Sequence, residues 1–356
     1  MWTLDALGWT DQFAQALDEL DEPDLIPARV SLEHQHIYRV LTAQGETLAR
    51  VTGRMRHNAT ASVEYPAVGD WVALRQRPGE LRATITSILP RRTRFSRKVA
   101  GDTTREQVVA ANIDTVFLTA GLDDDFNLRR IERYLLTAGE SGAQPVVLLT
   151  KADLCAEVEA RVREVEAVAG GSPVHATSAK SGEGVDVIRQ YLAPGQTVAL
   201  LGSSGVGKST LINRLVGRNV QRTATVSTYR SRGRHTTTNR ELILLPEGGM
   251  VIDTPGLREI QLWEVGSSLA TTFGDIEALA AECRFGNCRH LTEPRCAVRA
   301  ATADGRLVAE RFENYLKLRG EAEFLVEKQD RLAQLATKRK WKTIHKAIRT
   351  IVPKRS

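Results

Sequence analysis

The chain has 356 residues, 42% of them hydrophobic and 26% charged, with a formal net charge of +6. That length suits two or three domains with ordinary cores. No apolar run approaches the roughly 20 residues needed to cross a bilayer, and residues 1–20 lack the basic start of a secretory signal. Four cysteines are too few and too unevenly placed for a disulfide framework. A cytoplasmic protein with no membrane association is expected.

The charge is unevenly spread. Residues 331–356 contain nine Lys or Arg and no Asp or Glu, whereas residues 1–25 contain seven acidic residues and no Lys or Arg. A basic tail on a nearly neutral body points to a polyanion such as nucleic acid, with a solvated helix face as the alternative.

In chain order, residues 1–26 read as an acidic lead-in, short and either amphipathic or flexible. Residues 27–99 change to short alternating runs. Strands are predicted at Ala28–Leu32, Ile37–Thr42, Thr47–Met55, Asp70–Arg75 and Ala83–Leu89, separated by turn formers. Five such strands suit a small closed barrel, either an OB-fold or an SH3-like barrel. Pro90 to Lys98 reads as a basic connector.

Residues 100–266 alternate strand and helix. The strands are Ile113–Ala120, Val146–Leu149, Val174–Thr177, Thr197–Leu201, Leu242–Leu245 and Met250–Ile252; the helices are Leu128–Ala138, Leu154–Ala169 and Val185–Leu192. This rhythm predicts a mainly parallel sheet covered on both faces. Residues 267–356 carry no strand signal, hold a cysteine cluster, and continue into helical stretches (Arg311–Leu318, Glu321–Leu335) and the basic tail. The expected whole is a β-barrel, an α/β domain and a mainly helical metal-binding domain.

Chemistry concentrates at the ends of the α/β strands. Gly202, Ser203, Ser204, Gly205, Val206, Gly207, Lys208, Ser209 fill every position of the phosphate-loop pattern G-x-x-x-x-G-K-[ST], after an apolar run and before a helix that starts with Thr210. Glycines let backbone N–H groups converge on phosphate oxygens; Lys208 would reach the β- and γ-phosphates, and the Ser209 hydroxyl would hold Mg²⁺. Asp253 ends another apolar run as a Mg²⁺ ligand, and the Gly256 N–H would sense the γ-phosphate.

Guanine is selected by Thr150, Lys151, Ala152 and Asp153 with Ser178, Ala179 and Lys180. A carboxylate at Asp153 can accept from N1–H and the exocyclic amine of guanine, a donor pair adenine lacks. Lys151 can lay its stem along the base, and the backbone at Ser178 and Ala179 can donate to O6. Thr150 stands where Asn is commoner. These base motifs precede the phosphate loop, whereas in most GTPases they follow it, so the α/β domain reads as circularly permuted.

Leu257 stands where many GTPases place a glutamine that orients the attacking water. His235, within Arg232 to Thr238, is the candidate substitute, with a packing or RNA-contact role as the alternative. One of Thr236 to Thr238, here taken as Thr237, would complete the Mg²⁺ site. Cys283-x4-Cys288-x-His290-x5-Cys296 supplies three thiolates and one imidazole, the donor set of a structural zinc site. Cys155 reads as a core residue.

Together, the permuted motif order, the Gly233–Thr238 segment and the Cys-Cys-His-Cys spacing resemble the circularly permuted, ribosome small-subunit-dependent GTPase A family of bacterial assembly factors. The resemblance spans roughly residues 27–350. It implies an N-terminal OB-fold, a permuted GTPase domain and a C-terminal zinc domain. It also implies GTP hydrolysis stimulated by the small ribosomal subunit during its late maturation, with rRNA as a contact. A monomer is expected. Two other classes compete: a GTP-gated RNA-binding switch with incidental hydrolysis, and another phosphate-loop enzyme using ATP, against which Asp153 argues.

Overall fold

A computed structural model describes residues 2–58, 62–76, 82–99, 102–217, 240–253, 266–324 and 326–327. His235, Thr236 to Thr238, Gly256, Leu257 and the basic tail lie outside the described residues. The chain divides into two compact units, Met1–Gln261 with Ser267–Gly274, and Leu262–Gly266 with Asp275–Ser356.

In the first unit, β1 (Leu25–His34), β2 (Ile37–Thr42), β3 (Gly45–Val51), β4 (Trp71–Arg75) and β5 (Ala83–Ile88) form the barrel. The pairings β1–β2, β2–β3, β3–β5, β5–β4 and β4–β1 close it, and only β3–β5 is parallel. That is the strand order of an OB-fold, which resolves the choice left open by the sequence. Alternate residues Ala28, Val30, Tyr38, Val40, Val72, Leu74 and Ile85 fill its interior. The third strand stops at Val51, and helix α2 (Gly53–Asn58) takes the place of the longer strand expected there.

The lead-in is folded. A 3-10 turn at Asp5–Leu7 and helix α1 (Asp11–Asp18) bury Leu7 and Phe13 completely. Trp9 packs on both Phe13 and Trp71, with ring centroids 5.7 and 4.7 Å apart. Burial of one such aromatic contributes on the order of 1.5–3 kcal/mol.

Arg29 of β1 is fully buried and joins these parts. It donates to Leu7 O, to Gly69 O (3.3 Å), to Asn112 O (2.9 Å) and to Thr197 Oγ1 (2.8 Å). Burial pulls its pKa down to about 10, still charged at neutral pH.

The basic connector is a second departure from expectation. Residues Arg94–Val99 form β6, paired antiparallel with β7 (Asp102–Ala111). Its arginines are engaged: Arg91 grips Asp70 through two bonds of 2.8 and 2.7 Å, and Arg92 pairs with Asp114 at 3.0 Å.

The α/β sheet follows with β8 (Thr115–Gly121), α3 (Leu128–Ser141), β9 (Gln144–Thr150), α4 (Val158–Glu166), β10 (Val174–Ala176), α5 (Val185–Arg189), β11 (Thr197–Gly202), α6 (Lys208–Val216), β12 (Glu241–Leu244) and β13 (Met250–Asp253). The helix expected over Leu154–Ala169 is shorter because a 3-10 turn at Ala152–Leu154 precedes it and Cys155 is extended. The spatial order is β10-β9-β8-β11-β13-β12, parallel except for β12. All of β8 and β11 is buried, as a sheet covered on both faces requires. Helix α7 (Gly266–Thr272) follows the sheet.

The second unit contains α8 (Gly274–Ala281), a cysteine-bearing loop, α9 (Ala297–Ala303) and helical residues 309–324. Arg311 binds Asp275 through two bonds of 2.8 Å, and the Tyr315 hydroxyl donates to Glu277 at 2.9 Å. These contacts fasten the later helix to α8.

Candidate functional site

The loops that leave β8, β9, β10 and β11, and the end of β13, lie at the C-terminal edge of the sheet, where parallel sheets bind ligands. Thr150 ends β9, Gly202 ends β11 and Asp253 ends β13. The backbone at Gly202 passes so close to β8 that a Cβ there would lie 2.4 Å from Thr119 O. Gly207 starts α6 with φ +98°, a left-handed conformation that disfavours side chains. Residues 203–207 therefore wrap tightly ahead of the helix, with Val206 buried beneath.

Lys208 is folded back on its own loop. Its ammonium donates to Gly202 O at 2.8 Å and Ser203 O at 2.5 Å. Burial pushes the Asp253 carboxyl above its ordinary value, and the nearby Lys208 charge partly offsets this. Ser209 and Thr210 continue α6 behind Lys208.

The base motif is tied to this loop. The buried Thr150 hydroxyl donates to Val206 O at 2.5 Å and lies 3.2 Å from Ala120 O. Asp153 Oδ1 accepts from Ser178 Oγ at 2.6 Å, bringing the two base segments together. The Ser178 N–H is committed to Glu183 O at 2.9 Å, so of the two backbone donors expected to face a guanine O6, this one is already used.

Three contributors carry no sequence motif. Arg214, on α6, donates to the carbonyls of Ala179 (3.1 Å) and Lys180 (3.3 Å), so the phosphate-loop helix also holds the base loop. Asp123 pairs with Lys151 at 2.5 Å, and that hydrogen bond draws its carboxyl below the usual range. Asp125 accepts from Arg130 at 2.6 Å and from Ser203 Oγ at 2.5 Å, anchoring the phosphate loop to the start of α3. An Asp-rich run directly after a buried strand was the available signal for the last two.

In the second unit Cys283, Cys288, His290 and Cys296 lie with their donor atoms within 4.8 Å of one another. Cys283 Sγ is 3.9 Å from Cys296 Sγ and 3.6 Å from His290 Nδ1, which is 3.4 Å from Cys296 Sγ. Bond lengths of about 2.0–2.3 Å to a tetrahedral metal put ligand atoms roughly 3.3–3.8 Å apart, so the set fits one ion. Burial, then the charge of Arg319, lowers the His290 pKa and keeps the imidazole neutral, its ligating form. The Glu293 carboxylate accepts from the N–H groups of Arg289 (2.9 Å), Leu291 (2.8 Å) and Thr292 (3.0 Å), shaping the loop around His290.

The RsgA GTPase family matches residues 88–263. A relative in Opitutus terrae, named small ribosomal subunit biogenesis GTPase RsgA, is 50% identical, with 98% of this chain and 97% of the relative aligned. One of the same name in Syntrophotalea carbinolica is 44% identical, over 95% and 94%. The crystal structure of YjeQ from Thermotoga maritima superposes with a TM-score of 0.60 at 27% identity, covering 84% of this chain and 98% of that one. That of YloQ, described as a circularly permuted GTPase, shares the fold with a TM-score of 0.58 at 23% identity, over 86% and 96%. With half its residues identical to a full-length relative and the permuted strand order in place, this chain is a member of the RsgA GTPase family.

Proposed function

We propose that the chain binds GTP at the C-terminal edge of its sheet and hydrolyses it to GDP and phosphate in the biogenesis of the small ribosomal subunit. The supporting observation is the convergence on that edge of the phosphate loop, Asp253 and the Asp153–Ser178 pair, with Thr150 tying the base-motif strand to the phosphate loop. Residues Gly202 to Thr210 would cradle the phosphates, with Lys208 leaving the carbonyls of its own loop to reach them. Asp153 would read the guanine edge, Lys151 would lie along the base, and Ala179 would donate to O6.

Ser209, Asp253 and Thr237 would hold Mg²⁺, which neutralises phosphate charge when bound. His235 would orient the attacking water in place of Leu257. The Cys283, Cys288, His290 and Cys296 set suits Zn²⁺, which would supply folding energy to its module.

The names of the relatives support the small subunit as partner. Late action, stimulation by the subunit, rRNA contact, a monomeric state and a cytoplasmic location belong to the same reading. So do the domain limits 1–26, 27–99, 100–266 and 267–356. Among the described residues no helix is long and apolar enough to cross a membrane.

Competition of GTP against ATP, followed by turnover of Ser209→Ala, tests the nucleotide site. Preference for GTP and loss of turnover are expected. Equal use of ATP, or parental turnover by the variant, would contradict the assignment.

A further inference from the structure

Away from the nucleotide edge, the first unit holds a cavity of about 190 Å³ lined by residues of the barrel, the β6–β7 hairpin and the start of β12, among them Glu33, His36, Tyr65, Gln107 and Arg240. Arg240 differs from Arg29 and Arg91. Arg29 saturates its guanidinium with protein acceptors, and Arg91 grips a carboxylate. The Arg240 Nε is buried with no hydrogen-bond partner among the described residues.

The Glu33 carboxylate favours the charged guanidinium but makes no hydrogen bond to it. Glu33 lines the same cavity, but its carboxylate accepts from the His36 N–H at 3.2 Å. The other neighbouring charge is a second cation, Arg97, whose Nε donates to Gln107 at 3.2 Å. Burial first, and Arg97 second, pull the Arg240 pKa down to about 10, so it stays charged at neutral pH. A buried guanidinium N–H left without an acceptor is costly unless a ligand supplies one.

We propose that this cavity is a phosphate site, in which the Arg240 guanidinium receives a phosphate oxyanion while Arg97 adds positive potential. The volume accommodates one phosphate group with its ester oxygens rather than a whole nucleoside triphosphate. A guanidinium is suited to this because its planar fork matches phosphate oxygens. The rings of His36 and Tyr65 line the same cavity with centroids 5.1 Å apart, offering a face to a group attached to that phosphate. The source is either a backbone phosphate of an RNA strand or free phosphate. The site is separate from the nucleotide edge and stands whether or not that reading holds.

The test uses the full chain saturated with GDP, so that the phosphate loop is filled. Inorganic phosphate should raise the melting temperature above a chloride control of equal ionic strength. Arg240→Gln should abolish that difference, and Arg240→Lys should keep part of it. If a backbone phosphate is the occupant, Arg240→Gln should also weaken binding of a short single-stranded RNA by roughly tenfold, the loss of one charge-assisted contact. Lost phosphate response with unchanged RNA affinity assigns the site to free phosphate. Should Arg240→Gln not fold, the Arg240 Nε–H proton resonance of the parent provides the reading, and it should move on addition of phosphate. Phosphate response and RNA affinity that are both independent of Arg240, or a resonance that does not move, would overturn the proposal.

Discussion

The Thr150 hydroxyl donates to Val206 O across 2.5 Å, linking the end of the base-motif strand to the middle of the phosphate loop. Thr150 occupies a position where asparagine is commoner, and the hydroxyl makes the inter-loop tie directly. Thr150→Val keeps the shape and removes the donor, leaving the Val206 carbonyl without this partner. A buried acceptor left unsatisfied costs about 1–3 kcal/mol. Calorimetry should show weaker GDP binding together with a lower melting temperature. Unchanged GDP affinity would mean that the two loops are not coupled through this bond.

Asp153→Asn replaces one acceptor by a donor at the guanine edge. GTP binding should weaken by roughly 10- to 100-fold, the loss of a charge-assisted contact of about 1.5–3 kcal/mol. Xanthine nucleotides, which present an acceptor where guanine has its amine, should gain. Titration of both nucleotides against parent and variant checks the exchange; parental GTP affinity would remove Asp153 from the base site.

Asp253 leads to a prediction with a definite sign. Its folded-state pKa lies above the ordinary value because of burial. The folded protein therefore holds that proton more tightly than the unfolded chain. This contribution to stability is present at low pH and is lost as pH rises through the folded pKa. At neutral pH the ionised carboxylate is thus a cost in the nucleotide-free state. Asp253→Asn should raise the melting temperature of the nucleotide-free protein while abolishing Mg²⁺-dependent stabilisation by GTP. Thermal scans with and without GTP and Mg²⁺ distinguish the two effects. A variant that keeps the Mg²⁺-dependent gain would exclude Asp253 as a ligand.

Freshly purified protein should carry one zinc per chain. Cys283→Ser or Cys296→Ser should each lower that content and speed hydrogen exchange in α9, since metal binding energy is folding energy in such modules. Glu293→Gln, which weakens the loop bonds without touching a donor atom, should keep the metal but release it faster to a chelator. Full metal content in both cysteine variants would rule out the Cys3His assignment.

Much of this architecture was legible in the residues. The period-2 runs of the barrel and the unbroken apolar runs at Val146–Leu149 and Val198–Leu201 are strong signals because burial on one or both strand faces dictates them. The β6–β7 hairpin escaped because Arg94, Arg97 and Lys98 dominate its first strand, where Phe95 is the buried residue among the described side chains. The folding of the lead-in depends on long-range aromatic contacts with Trp71, which no local pattern encodes. Arg214 and Asp125 act on the site through tertiary contacts across 35 and 78 residues of sequence. Only the packing of the loops brings such pairs together.

The central claim is GTP hydrolysis coupled to the small ribosomal subunit, and phosphate release measured with and without purified small subunits tests it most directly. Slow turnover by the protein alone, a marked rise on adding small subunits, none on adding large subunits, and loss of the rise in Ser209→Ala are expected. Turnover that is unchanged by small subunits, or that rises equally with large ones, would contradict it.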